Sequence, residues 1–513
     1  MPTPLLARLS DLPRRVVDGL CDPVRRRRVA LWVALAYGLA WFLYGVIAKS
    51  SQDINADMAE MVVWAREPAL GYPKHPPLLA WVVWLWFSVF PLADWAFLLL
   101  AVATVSLGIF LCFELAGEWL YGEKRAAVPF LLAAIPFYNF LGLKFDQNSA
   151  LIPLWALAVW ALMRSIETRH QGWAALAGAA AAAAMLTKYW SAFLLLALAV
   201  AALADPRRRA YFRSAAPWVT ALVFLAAIAP HAAWLVSEDF PPIRWVAERR
   251  GAASVLDTLR ALGEYAGGTA AYGAGALALA LAFTRPSPAA VKDNLFPREL
   301  ERRTAVALFW VPILVPVAVA LPMQTSLLSL WNTPALNLLP VVMLASTLVV
   351  LTREDLTRMA IVVATVTAIV VLISPVVAAT ILARGVENNA AYARLVAIEV
   401  ARVFREETGR PLKLIGGPFT LVSSAAFYLP GTMTFADFSP YLSPWATDAR
   451  IARDGLAMVC PAGDPHCVKQ MTERLRRAHA DPPVEIEVTR RWLGLASPPA
   501  RFLIGVVPPR TRP

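Results

Sequence analysis

The chain has 513 residues, 58% of them hydrophobic, with a mean hydropathy of +0.55 and a formal net charge of +12. The apolar excess falls in runs long enough to cross a bilayer, which excludes an ordinary soluble domain. The basic clusters "RRRR" (25–28), "PRRR" (206–209) and "ELERR" (299–303) each flank an apolar run, a pattern of membrane topology and lipid contact and not of nucleic-acid binding.

In chain order, a basic segment 1–28, read as cytoplasmic, precedes the first apolar run, 29–48. At about 20 residues this run is too long for a typical signal-peptide core and reads as an uncleaved anchor. Further runs fall near 78–113, 126–143, 149–163, 172–186, 190–204, 215–236, 262–283, 304–322, 333–351 and 359–383. Pro91 and Asp94 should split the long run 78–113 into a surface-lying helix and a crossing. The expectation is a polytopic α-helical membrane domain over 29–384, with about 11–13 transmembrane helices.

With the N-terminus inside, the loops that fall inside carry most of the Lys and Arg, as the positive-inside rule requires. The stretches "QDINADMAEMVVWAREPALGYPKHPP" (52–77), "LKFDQNS" (143–149), "LTKYW" (186–190) and "SEDFPPIRWVAERR" (237–250) then face outside. Everything after about residue 384 also lies outside, on the odd-crossing count. There "PLKLIGGPFT", "TMTFADF", "GLAMVC", "VEIEVTR" and "RFLIGVVPP" read as short strands, with an amphipathic helix in "CVKQMTERLRRAHA". The prediction is a small extracytoplasmic (periplasmic) α/β domain, 385–513, in which Cys460 and Cys467 suit a disulfide.

Three outer-loop residues, Asp57, Asp146 and Lys188, each sit beside an apolar helix. Met58, Met61, Val62 and Ala65 give the segment after Asp57 the spacing of a helix lying on the bilayer, which Asp57 itself suits as N-cap. Asp146 suits the N-cap of a helix starting near Ser149, and Lys188 either snorkels to the surface or offers a point charge to phosphate. His75, ahead of two prolines, is held extended, and His231 reads as a packing or interface residue. Trp64, Trp190 and Trp234 suit interface anchors or sugar platforms. Arg244, Arg249 and Arg250 suit either a solvated loop or an anionic acceptor.

"DMAEMVVWAREPALGYPKHPPLLAW" resembles the first outer loop of polyprenyl-phosphate-dependent glycosyltransferases of the protein O-mannosyltransferase and ArnT-like (aminoarabinose-transferase) superfamily, which have the GT-C fold. "FDQNSALIPLWALAVWAL", "LTKYWSAFLL" and "APHAAWLVSEDFPP" resemble later elements of the family in the same order. Met58 stands where the family usually has a second acid, so that either Glu60 substitutes for it or the second carboxylate has no counterpart here. The resemblance implies transfer of a sugar from a polyprenyl-phosphate donor to an outer-face acceptor: a lipid such as lipid A or lipopolysaccharide, another envelope glycan, or a protein. It implies catalytic roles for Asp57 and Asp146, with Asp146 holding either a sugar hydroxyl or a divalent metal cation. It implies donor-phosphate contacts from Lys188, Lys74 and His75, and substrate contacts from Glu60, Tyr72, Trp64 and Tyr189. The expected location is the inner (plasma) membrane. The alternative, a lipid or solute transporter or flippase, calls for ionisable groups in mid-span and inverted repeats; the acids here lie at span ends.

Overall fold

The computed structural model describes residues 11–250, 254–385 and 392–510, with the side chains of 246–250 left aside. Among the described residues, seven helices are long and apolar enough to cross a membrane: Arg26–Ala48, Asp94–Ala116, Gln147–Thr168, Ala216–Ser237, Val255–Thr284, Leu300–Met323 and Arg353–Arg384. A bent pair, Gly122–Ala133 with Pro136–Leu143, makes an eighth if counted as one span. The protein is thus an integral membrane protein, with fewer full-length crossings among the described residues than the apolar runs suggest.

The difference lies in runs that hydropathy alone cannot distinguish from spans. The run 126–143 breaks by 83° ahead of Pro136, and the Asn139 amide donates to the carbonyls of Ala133 (3.0 Å) and Ile135 (3.2 Å) at the break. The runs 172–186 and 190–204 become the shorter helices Gln171–Thr187 and Ala192–Ala204, parted by the extended backbone of Lys188. The run 333–351 is a 3₁₀ segment, Ser329–Leu338, followed by the short helix Leu339–Leu344. Its buried Asn337 donates to the Ile152 carbonyl (2.8 Å) and accepts from the Tyr138 hydroxyl (2.6 Å), so this apolar stretch is internal packing. The run 78–113 does split as expected, into Leu78–Val89 and Asp94–Ala116, with Pro91 in the break.

The chain forms two compact units, residues 1–42 with 99–371 and residues 43–98 with 372–513. The first is helical, with Phe113, Tyr138 and Trp155 fully buried in its core. The small-residue helix Gln171–Thr187 lets its neighbours approach closely: a Cβ on Gly178 would meet the Thr220 carbonyl oxygen at 2.4 Å.

The second unit contains the predicted α/β segment. Strands β1 (Leu414–Gly417), β2 (Met433–Ala436), β3 (Leu456–Pro461), β4 (Val484–Val488) and β7 (Ala500–Val507) form one sheet in the order β2-β1-β3-β7-β4. β1 runs parallel to β2 and β3, while β7 runs antiparallel to β3 and β4. Each of the five falls in a stretch expected to be a strand, and the amphipathic helix is Pro465–Ala478. β5 (Arg491–Trp492) and β6 (Leu495–Ala496) form a separate hairpin.

The unit also takes in residues 43–98, and this changes the reading of helix Ala56–Arg66. It packs against helix Phe419–Phe427. Ala56 and Met58 through Ala65 are all buried, and Val63 joins the core of the α/β segment. The expectation of a helix lying on the bilayer is therefore overturned: its apolar spacing reflects packing on more than one side. Asp57 is not the cap either. Asn55 takes that place, its side-chain oxygen accepting from Asp57 N at 3.0 Å.

The structure joins Cys460, at the end of β3, to Cys467 in the first turn of Pro465–Ala478, with Cα atoms 5.7 Å apart. Closing so short a loop restricts the unfolded chain, and losing it should cost roughly 2–3 kcal/mol. A thermal-unfolding midpoint lower in Cys460→Ser/Cys467→Ser, and lower in wild type under reductant, is the expected result. A midpoint that neither change moves would contradict the bond.

Candidate functional site

In the second unit, helix Ala56–Arg66 presents Asp57, half-buried in its first turn, and Glu60, buried within the next. The loop from Glu67 to Pro77 returns Lys74 to this helix, where its ammonium lies 2.6 Å from Glu60 Oε1. The same ammonium sits 4.1 Å from the centroid of the Phe419 ring. Burial lifts the Glu60 carboxyl to about 6, Lys74 pulls it down, and the charges of Asp57 and Asp437 push it further up.

Tyr72 and Trp64 hold the loop in shape. Their rings stack at 4.7 Å and 5°, and the Tyr72 hydroxyl donates to the Trp64 carbonyl at 2.9 Å while accepting from Ala69 N at 3.2 Å. Burial raises the Tyr72 hydroxyl to about 12. Tyr72 N donates to the His75 carbonyl at 3.1 Å, closing the turn that carries Lys74. With exposures of 2% and 3%, Trp64 and Tyr72 offer no open ring face. The structure gives them a scaffolding place instead of the substrate contact expected of them. The His75 ring lies 6.1 Å from that of Trp64.

In the first unit, Asp146 caps helix Gln147–Thr168 through a full capping box: Oδ1 accepts from Asn148 N (2.8 Å) and Ser149 N (3.0 Å), and Ser149 Oγ accepts from Asp146 N (2.9 Å). Oδ2 lies 3.5 Å from Lys144 Nζ. Lys188 follows helix Gln171–Thr187 and donates from Nζ to Asn148 Oδ1 at 2.6 Å, with the Trp331 ring 5.0 Å away. It is 9% exposed, so the snorkelling alternative is set aside. The cap thus serves the lysine: Asp146 fixes the first turn in which Asn148 orients the ammonium. The Tyr189 hydroxyl shares a hydrogen bond of 3.0 Å with His231 Nε2, and the His231 ring stacks 5.7 Å from Trp234. His231 is therefore a polar partner of the site segment as well as a packing residue.

The donor set does not suit a metal at Asp146. Its carboxylate is committed to two backbone amides and faces a lysine, and among the described residues no three His, Cys, Asp or Glu side chains come together as metal ligands. No catalytic step below passes through a metal. Arg244, exposed in helix Pro241–Arg250 where a loop was expected, pairs with the exposed Asp239 at 3.0 Å, in keeping with its solvated reading. The side chains of Arg249 and Arg250 lie outside the described residues.

Phe419, Asp437 and Tyr441 were not legible as neighbours of this loop. Asp437 Oδ1 accepts from Phe419 N at 2.8 Å and the Tyr441 hydroxyl donates to the Pro73 carbonyl at 3.2 Å, contacts spanning hundreds of residues in the second case. No local pattern announces them.

Because Lys74 holds the Glu60 carboxyl down against the effect of burial, Lys74→Met should move its titration midpoint above about 6. Isotope-edited infrared titration of the carboxyl reads this directly. A midpoint unchanged or lower would show that the pair is not coupled.

Residues 74–234 match the model of the dolichyl-phosphate-mannose-protein mannosyltransferase family. The crystal structure of ArnT from Cupriavidus metallidurans bound to undecaprenyl phosphate is similar over 93% of this chain and 98% of that one, at 17% identity and a TM-score of 0.57. The Archaeoglobus fulgidus oligosaccharyltransferase in its apo form aligns over 89% of this chain and 73% of that one, at 9% identity and a TM-score of 0.45. No curated protein matches the sequence. The chain thus carries a segment similar to the mannosyltransferase family, set in a polytopic fold like that of ArnT, of GT-C type, that ends in a small α/β segment.

Proposed function

We propose that the protein is a membrane glycosyltransferase that moves a sugar from a polyprenyl-phosphate donor to an acceptor on the extracytoplasmic face of the plasma membrane. The observation that carries the reading is the family-matched segment 74–234, which contains Lys188 as a buried cation oriented by Asn148 and Trp331. The ArnT structure of the same fold is bound to undecaprenyl phosphate, a ligand of the donor's lipid class.

In the reaction, an acceptor oxygen forms a bond to the anomeric carbon as the bond from that carbon to the donor phosphate oxygen breaks. The electron pair leaves with the phosphate, and negative charge grows there. Lys188 stabilises that charge, in surroundings where a fixed cation acts more strongly than in water. Lys74, already held by Glu60, is a second cation suited to an anionic group. Asp57 takes the proton of a hydroxyl acceptor, or orients a phosphate acceptor that has none to lose. Asp146 acts through Asn148 as a positioning residue. Lipid A or lipopolysaccharide, another envelope glycan, or a protein would each supply such an oxygen.

Asp57→Asn keeps the side chain's shape and removes its charge, so turnover on a purified polyprenyl phosphosugar should fall at least about a hundredfold. Lys188→Ala should lower kcat and, by weakening the hold on the donor phosphate, also raise KM for the donor, and Lys188→Arg should retain part of the activity. Full activity of Asp57→Asn would remove it from the chemistry, and lipid or solute translocation without glycosyl transfer would favour a transporter.

The orientation has its own check. A reporter fused after residue 390 should be active outside the cytoplasm and one fused near residue 210 inside. Two fusions reporting the same side would overturn the assignment of the loops.

A further inference from the structure

The hairpin β5–β6 is exposed and apolar at its tip. Leu493 is 82% exposed and Leu495 50%, with Trp492 half-buried beside them. The two tip residues, Leu493 and Gly494, have φ of +46° and +82°. Both central positions of such a tight turn favour glycine, asparagine or aspartate. A leucine at the first of them takes an unfavourable backbone conformation and also faces outward, so water alone gives no reason for it.

The base of the hairpin is tied to the ends of two spanning helices. Arg490 and Ser497 close it, through Arg490 N to Ser497 Oγ (3.0 Å) and Ser497 N to the Arg490 carbonyl (2.9 Å). On one side Arg490 pairs with the buried Asp53, and Trp492 Nε1 donates to Ser50 Oγ at 2.8 Å; Ser50 lies two residues past helix Arg26–Ala48. On the other, Pro498 accepts from the Tyr392 hydroxyl at 2.6 Å and abuts Gly385, where a Cβ would meet Pro498 Cδ at 3.1 Å. Gly385 follows helix Arg353–Arg384 directly.

The direction of the hairpin follows from these ties. From base to tip its first strand passes from Asp53 to Ser50, back along the chain toward the end of the spanning helix. Toward those ends both helices expose apolar side chains suited to lipid: Leu43 and Val46 in the last two turns of one, and Leu372 and Val376 about two to three turns before the end of the other. Arg384, the last residue of its helix, and Arg491, beside the hairpin tip, are exposed cations. Apolar tip, neighbouring tryptophan and flanking arginines are the composition of an element seated among lipid headgroups.

We propose that hairpin 490–497 is a membrane-surface anchor, with Leu493 and Leu495 entering the headgroup region of the bilayer and Arg491 facing lipid phosphate. The partner is the lipid surface itself, and the proposal stands independently of the reaction assigned above.

The test uses the full-length protein carrying Cys21→Ser and Leu493→Cys, labelled with an environment-sensitive fluorophore. Cys112 is buried and Cys460 is bonded to Cys467, so the label goes to the hairpin. In vesicles of phosphatidylcholine and phosphatidylglycerol, spin-labelled lipids carrying the quencher near the headgroup should quench it at least about twofold more than lipids carrying it at the chain end, as a depth of ~5–10 Å requires. Emission typical of water without lipid quenching would overturn the proposal. Blue-shifted emission without lipid quenching would also overturn it, assigning the tip to a protein contact. Stronger quenching from the chain end would reject a headgroup-level seat.

Discussion

Lys74 and Glu60 meet at 2.6 Å with both side chains almost wholly withdrawn from water, and the organisation of the second unit follows from the cost of that withdrawal. A buried charge is tolerated only when paired and further hydrogen-bonded or screened by suitable neighbours. The Phe419 ring lies against the ammonium, and Asp437 holds the backbone that carries the ring. The stacked pair of Trp64 and Tyr72 fixes the loop so that the lysine need not be ordered anew for each contact. The α/β segment is therefore part of what holds the loop in place. Gly417 shows how closely it is built, since a Cβ there would meet the Val459 carbonyl oxygen at 2.2 Å.

Much of this fold was legible in the sequence. Hydropathy exposed the membrane class, the strand-like stretches after residue 412 each contain a strand of the sheet, and Pro91 marked a real break. Hydropathy failed where apolar composition serves the protein interior: 126–143 breaks at Pro136, where Asn139 bonds the Ala133 carbonyl, and 333–351 is tied inward by the buried Asn337, which bonds Ile152 and Tyr138. Those asparagines were visible as residues, but their partners lie up to 199 positions away. The spacing of Met58, Met61, Val62 and Ala65 misled for a related reason: a helix buried on several faces and one lying on lipid share the same apolar positions.

The site residues divide in the same way. The resemblance singled out Asp57, Glu60, Lys74, Asp146 and Lys188, and the structure joins four of them pairwise within their own units, Glu60 with Lys74 and Asp146 with Lys188 through Asn148. It gave Trp64 and Tyr72 an outward role because aromatic residues near sugars commonly have one. Their exposure and mutual stacking show why a motif cannot separate a platform from the strut beneath it. Asn148 was missed altogether, since an amide inside "FDQNS" has no pattern that distinguishes a ligand to lysine from an ordinary first-turn residue.

Asp146 and Lys188 occupy positions that a neutral account assigns to helix ends, and the two descriptions are compatible for a physical reason. In a chain this apolar, the interior of a long helix satisfies its own backbone and leaves little place for polar side chains. Helix ends are different: their unpaired N–H and C=O groups require polar partners. Asp146 answers that requirement through its capping box, and the extended backbone of Lys188 follows directly where helix Gln171–Thr187 stops. The cap does more than satisfy amides, because it fixes the turn from which Asn148 reaches the Lys188 ammonium. Positioned charge therefore collects where helices end, and the residues that terminate secondary structure in this protein are the same ones proposed to act on a phosphate.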